Sequence, residues 1–243
     1  MMKSNYLISA AALLCLVGFG PFSWFSGSST TQPLGASSIG TSIGSSGWMS
    51  DEVRAISSQA SNLSPKVLKL SLTAYLKARQ KGLDSKGVLT IIDYSKPSSE
   101  RRLWVVDLNK EKVLFNTWVA HGKNSGQLNA TSFSDQNGSL KSSLGVFLTA
   151  STYVGGDGYS LRLQGLEPGI NDNAYRRDVV IHGAWYVSQS VAEKYGQLGR
   201  SWGCPAVDEH LAKPIIDTIK NRTLVVAYYP DRNWLRNSTF LAG

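Results

Sequence analysis

From Gly87 onward the chain breaks into short runs rich in Val, Ile, Leu and aromatic residues. They fall at residues 88–92, 103–108, 112–120, 145–151, 160–163, 179–182 and 223–229. Clusters of Gly, Asn, Asp and Pro separate them. Runs this short, bounded by turn formers, suit strands and are too brief for independent helices. The expected fold is therefore mainly β. Asp107-Leu108-Asn109-Lys110 stands between two runs and predicts a hairpin turn. Two helices are expected within this part, at residues 188–195 and 208–220. No internal repeat at solenoid spacing is visible.

The segment before it reads differently. Val53, Ile56 and Ala60 recur at helical spacing, and Val67, Leu68, Leu70, Leu72, Tyr75 and Leu76 form a second apolar face. Ser64-Pro65 suits a helix start and Gly82 a helix end. Residues 51–84 thus form a helical prefix. Residues 29–50 are rich in Ser, Gly and Thr and read as a linker. Lys3 followed by the apolar residues 6–22 reads as a targeting segment over residues 1–28, a cleaved signal peptide, with an uncleaved anchor as the alternative. Cys15 lies within that apolar run and reads as a packing residue. Either reading sends the chain out of the cytoplasm to the periplasm or envelope, with membrane contact only through this segment if it stays attached. Residues 85–230 form the main domain and 231–243 a C-terminal tail.

The formal charge of +8 sits on the folded part, because Lys3 is the only charged residue before Asp51. A basic surface attracts anionic polymers in general. No Lys/Arg run exceeds Arg101-Arg102 or Arg176-Arg177, and no nucleic-acid module signature appears, so nucleic acid is not the expected partner.

Cys204 is the one cysteine outside the N-terminal apolar segment. A lone thiol in an exported domain has no disulfide partner, and a nucleophile is the sharpest reason for its presence. A thiol attacks as thiolate, so it needs a base or a positive field. His182 stands at the end of an apolar run and can supply the base. Gly203 removes a side chain beside the sulfur. No second thiol or His cluster suggests a metal.

His182-Gly183 followed by Ser201-Trp202-Gly203-Cys204 resembles the catalytic signature of the murein L,D-transpeptidase (YkuD-like) domain. The closest likeness is to the divergent branch reading Gly-Arg-Ser-x-Gly-Cys-Pro-Ala-Val, here Gly199 to Val207. The likeness extends to residues 142–149 and 179–184. It implies a β-sandwich or barrel with a few helices. It also implies a cysteine acyltransferase that needs no cofactor and acts on peptidoglycan stem peptides through a thioester on Cys204. Release of the acyl group to water, as in an L,D-carboxypeptidase or endopeptidase, is the alternative within this mechanism. A non-catalytic wall-binding module is the alternative of another class.

The resemblance further implies that His182 is the general base and that Ser201 orients the imidazole, with a plain turn residue as the alternative for Ser201. Backbone N–H groups at Gly203 and Cys204 would form the oxyanion hole. The Arg that often follows the Cys in relatives is replaced here by Pro205 and Ala206, so Arg200 becomes the candidate for holding a substrate carboxylate. Trp202 is expected to wall the thiol, with a core residue as the alternative. Gly183, Tyr153 and His121 are expected along the substrate cleft, His121 because a second His-Gly pair follows another apolar run. Arg176 and Arg177 are the next basic candidates after Arg200.

Overall fold

The computed structural model describes residues 42–84 and 86–241. The targeting segment and most of the linker lie outside the described residues. Helix α1 spans Trp48–Gln59 and α2 Pro65–Gln80. Helix α1 begins inside the expected linker, whose last residues are helical. Pro65 opens α2 at its first turn as expected, although the Ser64 side chain makes no capping hydrogen bond. Gly82 takes φ 69° just past the end of α2, a left-handed conformation that costs Gly little.

Eight strands follow: β1 Val88–Asp93, β2 Leu103–Asp107, β3 Lys112–Thr117, β4 Gly145–Gly155, β5 Gly158–Gly165, β6 Val180–Ala184, β7 Ala206–Asp208 and β8 Leu224–Tyr228. They form one sheet in the order β3-β2-β1-β8-β4-β5-β6-β7. The β1–β8 and β6–β7 pairs are parallel, and the others are antiparallel. The mainly β expectation thus matches the structure. Between β2 and β3, Asp107 Oδ1 accepts the N–H of Asn109 at 3.0 Å and of Lys110 at 3.2 Å, which makes the expected turn. Strand β7 was not anticipated. It has three residues and directly follows the Cys204 motif, too short to show a period.

Every residue of β1 and β8 is buried. Alternate side chains supply two cores. Leu89, Ile91, Leu224 and Val226 share one with Ile56 of α1 and Leu68, Leu72 and Tyr75 of α2. Val88, Ile92, Val225 and Ala227 share the other with Ile215, Ile216 and Ile219 of helix α4, Glu209–Ile219. This explains why both strands read as unbroken apolar runs, with neither face left for polar residues. The helical prefix is therefore one wall of a core. Truncating a residue such as Leu72, with no exposed surface, would cost about 2–5 kcal/mol through lost transfer energy and a cavity.

The expected tail also belongs to this core. Helix α5, Arg232–Asn237, buries Trp234. The buried Glu167 carboxylate holds it, accepting Trp234 Nε1–H at 3.0 Å, the Val146 N–H at 2.7 Å and the Ser238 hydroxyl. One buried acid lacks such support. Glu52 of α1 has no exposed surface, and neither carboxylate oxygen has a hydrogen-bond partner. Burial, reinforced by Glu111 and Asp107, pushes its pKa up to about 8.

Candidate active site

The site forms where the two edges of the sheet come together. β3 is one edge and β7 the other. The chain beyond β3 bridges across to the Cys204 loop: Ala120 N–H donates to Ala206 O at 2.8 Å, Ser201 N–H to His121 O at 3.0 Å and Lys123 N–H to Ser201 O at 2.8 Å. On the other side, the parallel β6–β7 pair sets His182 beside Ala206. Helix α3, Gln189–Tyr195, lies between them in the chain, and Ser188 caps it by accepting Val191 N–H at 3.2 Å.

A cleft of about 440 Å³ opens there, lined by Tyr153, Asp157, Arg177, Asp178, Val180, His182, Tyr186, Arg200, Ser201, Trp202 and Cys204. Cys204 and His182 thus share one cleft. Cys204 is a half-buried free thiol. Burial raises its pKa, opposed by the Val180 N–H and by Arg177, while Asp157 and Asp178 add to the rise. The resting sulfur therefore holds its proton, and attack requires a base. The His182 Nδ1 lies 3.0 Å from Gly183 O. A carbonyl can only accept, so Nδ1 carries the proton and Nε2 is left as the basic nitrogen.

Ser201 does something other than orient the imidazole. Its hydroxyl donates to Cys204 O at 2.6 Å and accepts Gly203 N–H at 3.1 Å. The partner that orients His182 is the carbonyl of Gly183. The same contact bears on the expected oxyanion hole: Gly203 N–H is engaged by Ser201 and is not free to meet an oxyanion. Gly203 has φ 134°, and a Cβ there would lie 2.9 Å from Lys141 O, so the loop requires Gly on both counts.

Other expected residues separate. Tyr153 and Arg200 line the cleft. Arg200 Nη1 donates to Gly126 O at 3.2 Å and Lys123 O at 3.3 Å. Trp202 is 76% exposed, so it forms a rim and does not seal the thiol. Gly183 is not among the residues that line the cleft. A Cβ on it would meet Glu209 Cα and Ala212 Cβ of α4 at 3.0 Å, so its lack of a side chain serves strand-to-helix packing.

His121 is likewise no cleft wall, being fully buried. Arg102, itself buried, donates from Nη2 to His121 Nδ1 at 2.8 Å, and His121 Nε2–H points to Gly126 O at 3.3 Å. Burial, then the Arg102 charge, lower the His121 pKa to about 4. It is a neutral support beneath the loop, since its carbonyl takes the Ser201 N–H. Asp157 and Tyr186, which the sequence did not single out, also line the cleft, as does Arg177, the basic candidate named after Arg200. Among the described residues, no helix is long and apolar enough to cross a membrane.

The profile of the L,D-transpeptidase catalytic domain matches residues 59–228. The chain belongs to that family. Its matched region starts at the end of α1 and ends with β8, so it includes α2 and the whole sheet. Similar solved structures include LD transpeptidase LdtMt1 in complex with imipenem, at 15% identity over 58% of this chain and 59% of that chain, TM-score 0.38. An L,D-transpeptidase from Mycobacterium smegmatis shows 14% identity over 59% of each chain, TM-score 0.37. A fused amidase/peptidase/peptidoglycan-binding protein from Clostridium acetobutylicum shows 18% identity over 68% of this chain and 62% of that chain, TM-score 0.35. The chain thus spans less than two thirds of the length of these structures. No curated protein matches.

Proposed function

We propose that this protein is a cysteine acyltransferase of the bacterial envelope that cross-links peptidoglycan stem peptides through a thioester on Cys204. The observation that carries this reading is the shared cleft of Cys204 and His182, in which the Gly183 carbonyl holds the imidazole by Nδ1–H and so makes Nε2 the nitrogen available to exchange a proton.

In the reaction, His182 Nε2 takes the Cys204 proton, and the thiolate attacks the carbonyl that precedes the terminal residue of a donor tetrapeptide. The oxyanion meets the Cys204 N–H. Collapse breaks the peptide bond, and the leaving amine of the terminal D-alanine takes the proton from His182. The thioester then accepts an amine from a second stem. His182 removes that amine's proton and returns it to the sulfur, so enzyme and protons balance. Ser201 keeps the turn closed while the sulfur changes charge, and Arg200 is placed to hold a substrate carboxylate. The export signal suggested by Lys3 and the apolar residues after it is consistent with an extracytoplasmic polymer substrate.

Incubation of the purified protein with disaccharide tetrapeptides, read by mass spectrometry, tests the proposal. A cross-linked dimer with loss of D-alanine is expected. Tripeptide alone would assign water as the acceptor, as in a carboxypeptidase. No change in the peptides would favour a wall-binding module.

A further inference from the structure

The residues just before the His182 strand surround the sulfur. Cys204 Sγ–H donates to Asp178 O at 3.6 Å. Asp178 has φ 51°, unusual for a residue with a side chain. Its carboxylate is turned away to Arg162, 2.5 Å distant, while its carbonyl faces the thiol. The Val180 N–H favours the ionised sulfur.

Arg177 completes this frame. Its side chain is only 5% exposed and lines the catalytic cleft. Nη1 donates to Ser134 O at 2.7 Å and Ser143 Oγ at 2.5 Å, and Nη2 to Ser139 Oγ at 3.1 Å and Lys141 O at 2.9 Å. All four acceptors are neutral. The nearest carboxylate, Asp135, stands 3.6 Å away, beyond good hydrogen-bond distance. A Cβ on Gly203 would lie 3.7 Å from Arg177 Nη2 and 2.9 Å from Lys141 O. The guanidinium and its acceptor therefore pack directly on the residue before Cys204.

Resting on the reading of Cys204 as nucleophile, we propose that Arg177 is a positioning residue with two tasks. It clamps the segment from Ser134 to Ser143 against the nucleophile loop. It also supplies the buried positive charge that compensates the thiolate when the proton passes to His182. Apart from the imidazolium that forms on His182 in that step, the cleft neighbours Asp157, Asp178, Tyr186, Ser201 and Trp202 are neutral or anionic and offer the thiolate no positive charge. Arg200 is the other cation in the cleft, and it spends Nη1 on carbonyls of the 123–126 loop.

The test is the pH profile of Cys204 alkylation by iodoacetamide in the full chain, quantified on the peptide that carries Cys204. Arg177→Met is expected to raise the midpoint by about one pH unit and to slow alkylation below the midpoint about tenfold. Arg177→Lys should hold the midpoint, because the charge remains, while its melting temperature falls, because an ammonium cannot reproduce the fork. Ser143→Ala should leave the midpoint in place.

An unmoved midpoint in folded Arg177→Met overturns the proposal. Should that variant not fold, Asp135→Asn gives the test from the other side. Removing the carboxylate that shares the guanidinium charge should lower the midpoint, and an unchanged or higher midpoint overturns the proposal. Alkylation needs no stem peptide, so this result stands apart from turnover. An unmoved midpoint beside intact cross-linking would remove the role of Arg177 alone, and a shifted midpoint without cross-linking would remove the transpeptidase reading alone.

Discussion

The Ser201 hydroxyl donates to the carbonyl of Cys204, three residues on, at 2.6 Å. The same oxygen accepts the Gly203 N–H, so one small side chain closes the turn that presents the thiol. Ser201→Ala removes both contacts from a buried site. A loss of about 1–2 kcal/mol in stability is expected. Catalysis should fall because the turn loosens, while the pH dependence of kcat/KM keeps its shape, since Ser201 does not touch the imidazole. A displaced acid limb in the Ser201→Ala pH profile would return Ser201 to the role of imidazole orienter.

The two histidines should behave oppositely. His182→Ala is expected to lower kcat by at least about a hundredfold with little change in melting temperature. His121→Ala should do the reverse: its loss leaves Arg102 Nη2 short of an acceptor in the core, costing about 1–3 kcal/mol, with a smaller effect on turnover by the folded fraction. His121 also predicts acid sensitivity. Its folded pKa, about 4, lies below the ordinary value near 6.5, so the unfolded chain binds the extra proton first. The stability it supports is present above about pH 6.5 and is lost as pH falls toward 4. Steady kcat in His182→Ala would show that the base is another group.

Glu52 carries the opposite sign. Its folded pKa of about 8 lies above its ordinary value, so the folded state holds the proton that the unfolded state releases. Its contribution is intact below about pH 4.5 and declines as pH rises to 8, by an amount on the order of several kcal/mol. Glu52→Gln should be more stable than the parent at pH 8 and should flatten this part of the profile. Melting temperatures of the two proteins from pH 5 to 9 decide it. Parallel curves would mean that the carboxyl ionises freely in the folded state.

Arg200 faces the cleft with one guanidinium nitrogen on backbone carbonyls, which fixes the fork for a planar anion. Arg200→Lys should lower kcat/KM for the tetrapeptide by roughly tenfold, about 1.4 kcal/mol, with an unchanged melting temperature. Unaltered kinetics in both Arg200→Lys and Arg200→Ala would remove it from substrate binding.

The sequence revealed what is local. Strands buried on both faces showed as apolar runs, and Ser188 and Asp208 marked two helix starts that their side chains do cap. The Cys204–His182 pair was legible because strand, Gly and thiol stand at short range. What was missed depends on packing between distant segments. Arg177 stood only as a basic alternative to Arg200, and its clamp was not visible because its acceptors lie 34 to 43 positions earlier in the chain. His121 resembled a cleft residue because a His-Gly pair after a strand looks the same whether it faces solvent or, as here, a buried Arg102. Helix α5 was read as tail because its six residues are too few for a helical period, and its anchor, Glu167, is remote in sequence.

The most direct test of the account is turnover by Cys204→Ala. Purified parent and variant, matched by circular dichroism and melting temperature, are incubated with disaccharide tetrapeptides and the products weighed. The account predicts cross-linked dimer and free D-alanine from the parent and neither from the variant, because no other described residue offers a thiol to the cleft. Dimer formation by Cys204→Ala at the parent rate would contradict it.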